Sequence, residues 1–128
     1  MRKKLIAIIA AVILIAAQDR ISYASESELI KMRSTAYCLQ GITCTGTKVR
    51  PGTCASGNKD LIGKTLAIYQ RLPDGSVGQM LAVLVCEDSG CSEHVIDTWM
   101  PNLELCQQWM NLVYMDDCQG KIYVQVLD

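Results

Sequence analysis

The feature that most restricts the fold is an apolar run, residues 80–85. After Cys86, it is followed by two acidic residues, Glu87 and Asp88. The predicted strand, residues 79–87, reads QMLAVLVCE. A strand that is apolar on both faces needs cover on both, so we expect it to be central. The next residues, CEDSGCSEHVID, hold Asp88, Asp97 and the chain's single histidine, His94. This pattern places the candidate chemistry at the mouth of a buried strand.

Other segments predict more short strands around the same core. Five further segments have a composition typical of strands: residues 33–38, 53–55, 64–72, 94–99 and 121–127. In the third, Leu66, Ile68 and Gln70 share a face, and Pro73-Asp74-Gly75 ends the segment in a turn. Many short strands around one core predict a mainly β chain that forms a small six-stranded barrel.

One helix is predicted before the last strand. Asn102 follows Pro101 and is a suitable N-terminal cap. An apolar stripe then recurs at helical spacing and is expected to face the core: Leu103, Cys106, Met110 and Val113.

The amino-terminal segment has the three parts of a secretory signal peptide. Arg2-Lys3-Lys4 precedes the apolar run 5–17, and Ser22-Tyr23-Ala24 provides small residues at a cleavage site. The run is short for a membrane span, although an uncleaved anchor is the alternative. We therefore predict a signal peptide at 1–24, a flexible lead-in at 25–32, one domain at 33–128, and a secreted or cell-wall-associated protein without a stable membrane span after cleavage.

Composition narrows the possible partners. Without residues 1–24, the chain has 8 Lys and Arg against 12 Asp and Glu, so a nucleic-acid partner is not expected. Seven cysteines in an exported chain predict disulfides with at least one thiol left over, and Cys44 and Cys54 are expected to be bridged in preference to Cys106. Without a C-x2-C pair, no zinc ribbon, metal site or cofactor is predicted.

Asp97 is the candidate acid. It shares a strand side with Val95 and Trp99, whereas alternation puts Asp88 on the side of Cys86. Burial and the charge of Asp88 are both expected to raise the pKa of Asp97, and a carboxyl that stays protonated can act as a general acid. A solvated aspartate on an edge strand is the alternative.

Several motifs, taken in order, resemble one family. They are Thr35-Ala36-Tyr37, Gly41-Ile42-Thr43, Thr45-Gly46-Thr47, Arg50-Pro51-Gly52, Gly63, Glu87-Asp88-Ser89-Gly90 and Val95-Ile96-Asp97. Together they are similar to the three-aspartate (3D) domain, a double-psi β-barrel found in membrane-bound lytic transglycosylase A and in stationary-phase survival proteins. The resemblance spans residues 33–127.

Two positions depart from the family pattern. The first of its three aspartates would fall near Ser56, and Asp60 is out of register. The loop between the second and third aspartates is shortened to Gly90–His94, two residues fewer, which puts substrate affinity and activity in question.

The resemblance implies cleavage of the peptidoglycan bond between N-acetylmuramic acid and N-acetylglucosamine. Asp97 would be the catalytic acid and base, and Asp88 its orienting or stabilising partner. The candidate contacts to the glycan are Tyr37, Thr43, Thr45 and Ser89, each of which also fits a structural role.

Three functions therefore remain open at this point. They are a lytic transglycosylase, a glycan-binding or structural barrel without catalysis, and a disulfide-rich interaction domain. His94 is predicted to be a surface residue or a stand-in for the family's basic residue, and it has no partner at a spacing typical of a Cys–His hydrolase.

The mature protein should begin at or near Ser25, because the signal architecture places cleavage after Ala24. Amino-terminal sequencing of protein recovered from culture medium checks this. Recovery of a chain that still contains residues 5–17 would contradict it.

Overall fold

A computed structural model describes residues 29–128, so the predicted signal peptide lies outside the described residues. Within them are six strands and one α-helix. The elements are β1 (Leu29–Tyr37), β2 (Thr53–Ser56), β3 (Thr65–Arg71), β4 (Val77–Asp88), β5 (Val95–Trp99), α1 (Leu103–Tyr114) and β6 (Lys121–Val126). The prediction of a mainly β chain with six strands and a helix before the last one is confirmed.

The six strands form a sheet that closes on itself. The order around it is β1-β5-β2-β4-β3-β6, and the last strand pairs with the first. The β1–β5 and β2–β4 pairs are parallel, and the other four are antiparallel. Closure leaves none of these strands as a free edge, so even the short β2 has both of its neighbours.

The first strand begins earlier than predicted. Residues 29–33 pair antiparallel with β6, and Ile30 and Met32 lie opposite Val124 and Ile122. Residues 29–32 therefore belong to the sheet and not to a flexible lead-in. Ile30 and Met32 alternate with Lys31, which is the signal for the strand. The polar residues before them made the segment look like a flexible lead-in.

The interior of the closed sheet is aliphatic. Leu66, Ile68, Ile96, Ile122 and Val124 are each 0% exposed. The predicted shared face of β3 agrees with this, since Gln70 is also buried. The side chains on the other face of the strands lie on the outside of the sheet, and this is the face on which the candidate site is found.

Helix α1 begins as predicted, and its buried face overlaps the predicted stripe at Val113, which is fully buried, and at Met110, which packs against the core. Asn102 Oδ1 accepts a hydrogen bond from Leu105 N at 2.9 Å, so the cap is confirmed. Leu103, however, is 77% exposed, and the predicted core stripe is wrong at this position. The buried residues of the helix lie from Gln108 onward: Gln108, Trp109, Leu112 and Val113.

A buried indole sets this orientation. Trp109 Nε1 donates to Ser34 Oγ at 2.8 Å, and Ser34 Oγ donates to Ile96 O at 3.1 Å. The two bonds tie the helix to β1 and β5 at once. Because the indole N–H needs a partner when it is buried, the helix is rotated so that Trp109, and not Leu103, faces the sheet.

No helix within residues 29–128 has both the length and the apolar character that a membrane crossing requires.

Two leucines on α1 provide a matched test of this packing. Leu112→Ala should lower the free energy of unfolding by about 2–5 kcal/mol, because it leaves a cavity beside the buried indole. Leu103→Ala should change it by less than about 0.5 kcal/mol, because that side chain is exposed. Urea denaturation measures both, and equal losses would contradict the assigned helix face.

Candidate active site

Strand pairing brings the two aspartates into one row. Asp97 on β5 lies opposite Thr35 on one side and Ala55 on the other, and Ala55 in turn lies opposite Asp88 on β4. Residues that pair directly point to the same face, so all four side chains share the outer face of the sheet. Two strand spacings separate the aspartates, which is about 10 Å between their backbones.

A β-bulge is what puts Asp88 into this row. The register between β2 and β4 shifts after Cys54, which pairs with Cys86, so that Ala55 pairs with Asp88 and Glu87 is the extra residue. Simple alternation had placed Asp88 on the face of Cys86, and that prediction is wrong. Bulges commonly re-aim a side chain next to a functional site, and this one turns Asp88 towards the face of Asp97.

The extra residue, Glu87, is held by the loop before β2. Arg50 Nη2 lies 2.6 Å from Glu87 Oε2, and Thr47 Oγ1 donates to Glu87 Oε1 at 3.3 Å. Thr45 Oγ1 donates to the Glu87 carbonyl at 3.0 Å. These contacts fix the bulge to the loop.

Thr43 and Thr45 belong to this anchor. Thr43 Oγ1 lies 2.7 Å from Thr47 Oγ1 and 3.0 Å from Thr45 Oγ1, and Thr43 is buried. Their hydroxyl groups are occupied within the protein. These contacts support the bulge, and the predicted glycan contacts of Thr43 and Thr45 remain a prediction.

Asp97 is half-buried and makes one side-chain hydrogen bond. Thr35 Oγ1 donates to Asp97 Oδ1 at 2.9 Å. Burial raises the pKa of Asp97, and the hydrogen bond from Thr35 opposes part of that rise. The predicted direction is confirmed, but the expected contribution of Asp88 is absent, because Ala55 and a strand separate the two carboxyl groups.

Both aspartates influence the pKa of Tyr37. This residue follows Thr35 by two positions on β1 and so shares its face. Its pKa is raised first by burial and then by the negative charges of Asp88 and Asp97. The phenol thus stays protonated near both carboxyl groups and is available as a hydrogen-bond donor.

Asp88 is oriented by the backbone. Its Oδ1 accepts from Cys44 N at 3.0 Å and from Ser89 N at 2.9 Å. Both bonds end on one oxygen, so Oδ2 has no partner within residues 29–128. Ser89 is exposed beside it, and it is the amide of Ser89 that orients the carboxylate, not the hydroxyl group.

Cys91 lies near the site, and the sequence alone did not predict this position. Its thiol is partly buried and bonds weakly to Val95 O at 3.7 Å. Its pKa is raised by burial and then by the charge of Asp97, which places the thiol near that carboxyl group. The short loop carrying Cys91 packs on Gly57, where a Cβ would stand 2.1 Å from Cys91 O.

The cysteines carry no disulfide in this structure. All seven lie within residues 29–128 and are free thiols, with Cys44 exposed and Cys54 buried. Cys54 and Cys86 face each other across β2 and β4, and their thiol groups are hydrogen-bonded. Cys106 likewise contacts Cys38. The predicted bridging of Cys44 and Cys54 thus remains a prediction, and no group of three metal-binding side chains occurs in the described residues.

The remaining candidates lie away from the row. Ser56 is 0% exposed and its Oγ accepts from Asn58 N at 3.1 Å, while Asp60 is exposed in the short turn Lys59–Leu61. Neither adds a third carboxylate to the described site. His94 is exposed and lies 3.4 Å from Glu93 Oε1, which agrees with its prediction as a surface residue.

The fold and the site define a closed six-stranded β protein whose outer face carries two aspartates and a tyrosine. Comparison of the chain with protein-family models and with curated protein sequences found no match.

Asp97→Asn should be at least as stable as the parent protein at neutral pH. The pKa of Asp97 is raised in the fold, so its ionisation costs stability as pH rises from the unfolded pKa, about 3.9, through the higher folded value. The asparagine does not ionise, so its advantage should grow across that window and vanish below it. Melting temperatures as a function of pH measure this.

Thr35→Val provides the complementary result. It removes the hydrogen bond that lowers the pKa of Asp97, so the same window should extend to higher pH. An Asp97→Asn protein that is less stable than the parent only at neutral pH would contradict both expectations, because it would show that the ionised carboxylate stabilises the fold.

Proposed function

We propose that this chain is a secreted or cell-wall protein that cleaves peptidoglycan strands in the manner of a lytic transglycosylase, with Asp97 as acid and base. The observation that carries the proposal is the half-buried Asp97 with its raised pKa, in one row with Asp88. A carboxyl group that holds its proton is what protonation of a glycosidic oxygen requires.

We also propose that the closed sheet is a double-psi β-barrel. Its two parallel pairs, β1–β5 and β2–β4, support this, because a simple up-and-down barrel has only antiparallel neighbours. The order of the motifs between residues 33 and 127, which resembles the 3D domain, is the other support.

In the proposed reaction, Asp97 gives its proton to the oxygen that leaves C1 of the muramic acid sugar. The bond between C1 and this oxygen breaks, and the sugar becomes oxocarbenium-like. Asp97, now ionised, takes the proton of the sugar's own C6 hydroxyl as that oxygen bonds to C1. The C6 hydroxyl proton leaves Asp97 protonated again. No water is consumed, and the product is a 1,6-anhydro sugar.

The other residues near the aspartate row have supporting roles in this proposal. Asp88 is fixed through Oδ1, which leaves Oδ2 to stabilise positive charge on the sugar ring. The protonated Tyr37 donates a hydrogen bond to the glycan, and the exposed Ser89 is a further contact. Thr43 and Thr45 act indirectly, since their hydroxyl groups hold the bulge that aims Asp88.

A second candidate function is a barrel that binds glycan, or supports the cell envelope, without cleaving it. Ser56 occupies the position of the family's first aspartate and is fully buried, so no third carboxylate reaches the site there. The two bonds that Asp88 accepts tie together the loops on either side of it, which is also what a purely structural residue would do.

Incubation of the protein with purified peptidoglycan, followed by mass spectrometry, tests the proposal. We expect 1,6-anhydro products, and we expect Asp97→Asn to lower their rate of formation by at least about 10²–10⁴-fold, since the amide cannot exchange a proton. Asp88→Asn should lower it less. Asp60→Asn is the matched control, because it changes an exposed aspartate outside the row.

Sedimentation of the same variants with insoluble peptidoglycan separates the two candidates. Binding without any anhydro product from the parent protein would favour the non-catalytic barrel. A folded Asp97→Asn protein that still forms product at the parent rate would overturn the catalytic role of Asp97.

A further inference from the structure

A concave surface lies on the outer face of β1, β6 and β3, away from the aspartate row. It is a cleft of about 540 Å3 between the β3–β4 turn and the loop before β6. Its basic residues are Lys31, Arg71 and Lys121, and Tyr123 lies among them. Lys31 pairs with Tyr123 across β1 and β6, and Lys121 precedes Tyr123 by two positions on the same face.

Within residues 29–128, no carboxylate lies within ion-pair distance of the positive charges of this cleft. In residues 29–128 the ion pairs are Arg50 with Glu87 and His94 with Glu93, and neither involves the cleft. Asp117 is the one acidic residue in its lining, against three cations. Three uncompensated cations gathered around one cleft, in a chain whose net charge is −1, favour an anionic occupant.

Arg71 is held in place although no carboxylate among residues 29–128 pairs with it. Its Nη2 donates to Met32 O at 2.8 Å, and its guanidinium carbon lies 5.6 Å from the centre of the Tyr123 ring. Its Nε is buried and has no hydrogen-bond partner within the described residues. A fixed, partly desolvated guanidinium is a preorganised site for an anion, since its positive charge lacks a counter-charge.

The loop at the cleft's rim has a strained backbone. Asp117 and Gln119 both have left-handed backbone angles, with φ of 60° and 57°. Residues other than glycine adopt this conformation only at an energetic cost, which the contacts around the loop must offset. The surrounding contacts, including Arg33 Nη2 to Gln119 O at 2.8 Å, keep the loop in this shape beside the lysines.

We propose that this cleft is a binding site for a dianionic oxygen group, either a phosphate or a pair of carboxylates. Lys31 and Lys121 supply mobile point charges from two neighbouring strands, and Arg71 supplies the fixed charge between the turn and the sheet. The site is independent of the proposed glycan cleavage, because none of its residues belongs to the aspartate row.

Titration of the isotope-labelled protein with sodium phosphate, and separately with sodium malonate, tests this by amide NMR at constant ionic strength. We expect saturable shifts for residues 74–75 and 117–121 with at least one of the two anions. The anion that binds more tightly identifies the ligand chemistry. Sodium chloride at the same ionic strength should not reproduce these shifts.

Two double variants of equal charge complete the test. Lys31→Gln with Lys121→Gln should weaken binding by about tenfold, from two lost charge interactions. Lys59→Gln with Lys64→Gln is the matched control, since both lysines are exposed and lie outside the cleft, and it should bind as the parent does. Shifts that do not saturate, that map elsewhere, or that weaken equally in both variants would overturn the proposal.

Discussion

The candidate site depends on the contact between Glu87 and the loop that carries Arg50. Glu87 is the extra residue of the bulge in β4, and its carboxylate and carbonyl both receive hydrogen bonds from that loop. Without an extra residue at this point, the strand would continue its alternation and Asp88 would point to the side of Cys86. The acid pair on the outer face is therefore a product of one inserted position and the polar groups that hold it.

The Arg50–Glu87 pair determines geometry more than it adds stability. The Arg50 side chain is 56% exposed and that of Glu87 12% exposed, so water screens one end of the pair. Exposed ion pairs contribute about 0–1 kcal/mol, which is small beside the burial of the aliphatic interior. Its importance lies in where it holds the bulge, since Asp88 and the amide of Cys44 meet only when the loop and strand are in this register.

Local sequence pattern predicted the strands well, because each carries its own alternation and turn residues. It also predicted the Asn102 cap and the direction of the Asp97 pKa, which depend on neighbouring residues and on burial. It did not predict the bulge, since Glu87 looks like any other strand residue until β2 is placed beside it. The helix face was predicted correctly at Val113 but not at Leu103, because the partner of Trp109, Ser34, is 75 residues away.

The order of the strands has a consequence for how the chain folds. β1 pairs with β5 and β6, and β3 also pairs with β6. The first strand therefore has both of its partners only after β6 is made. Contacts so distant in sequence slow folding, because loop closure must precede the contacts that stabilise it. The β3–β4 hairpin can form earlier, because its strands are adjacent in the chain, but a ribosome-bound fragment that lacks residues 121–126 has no way to complete its sheet.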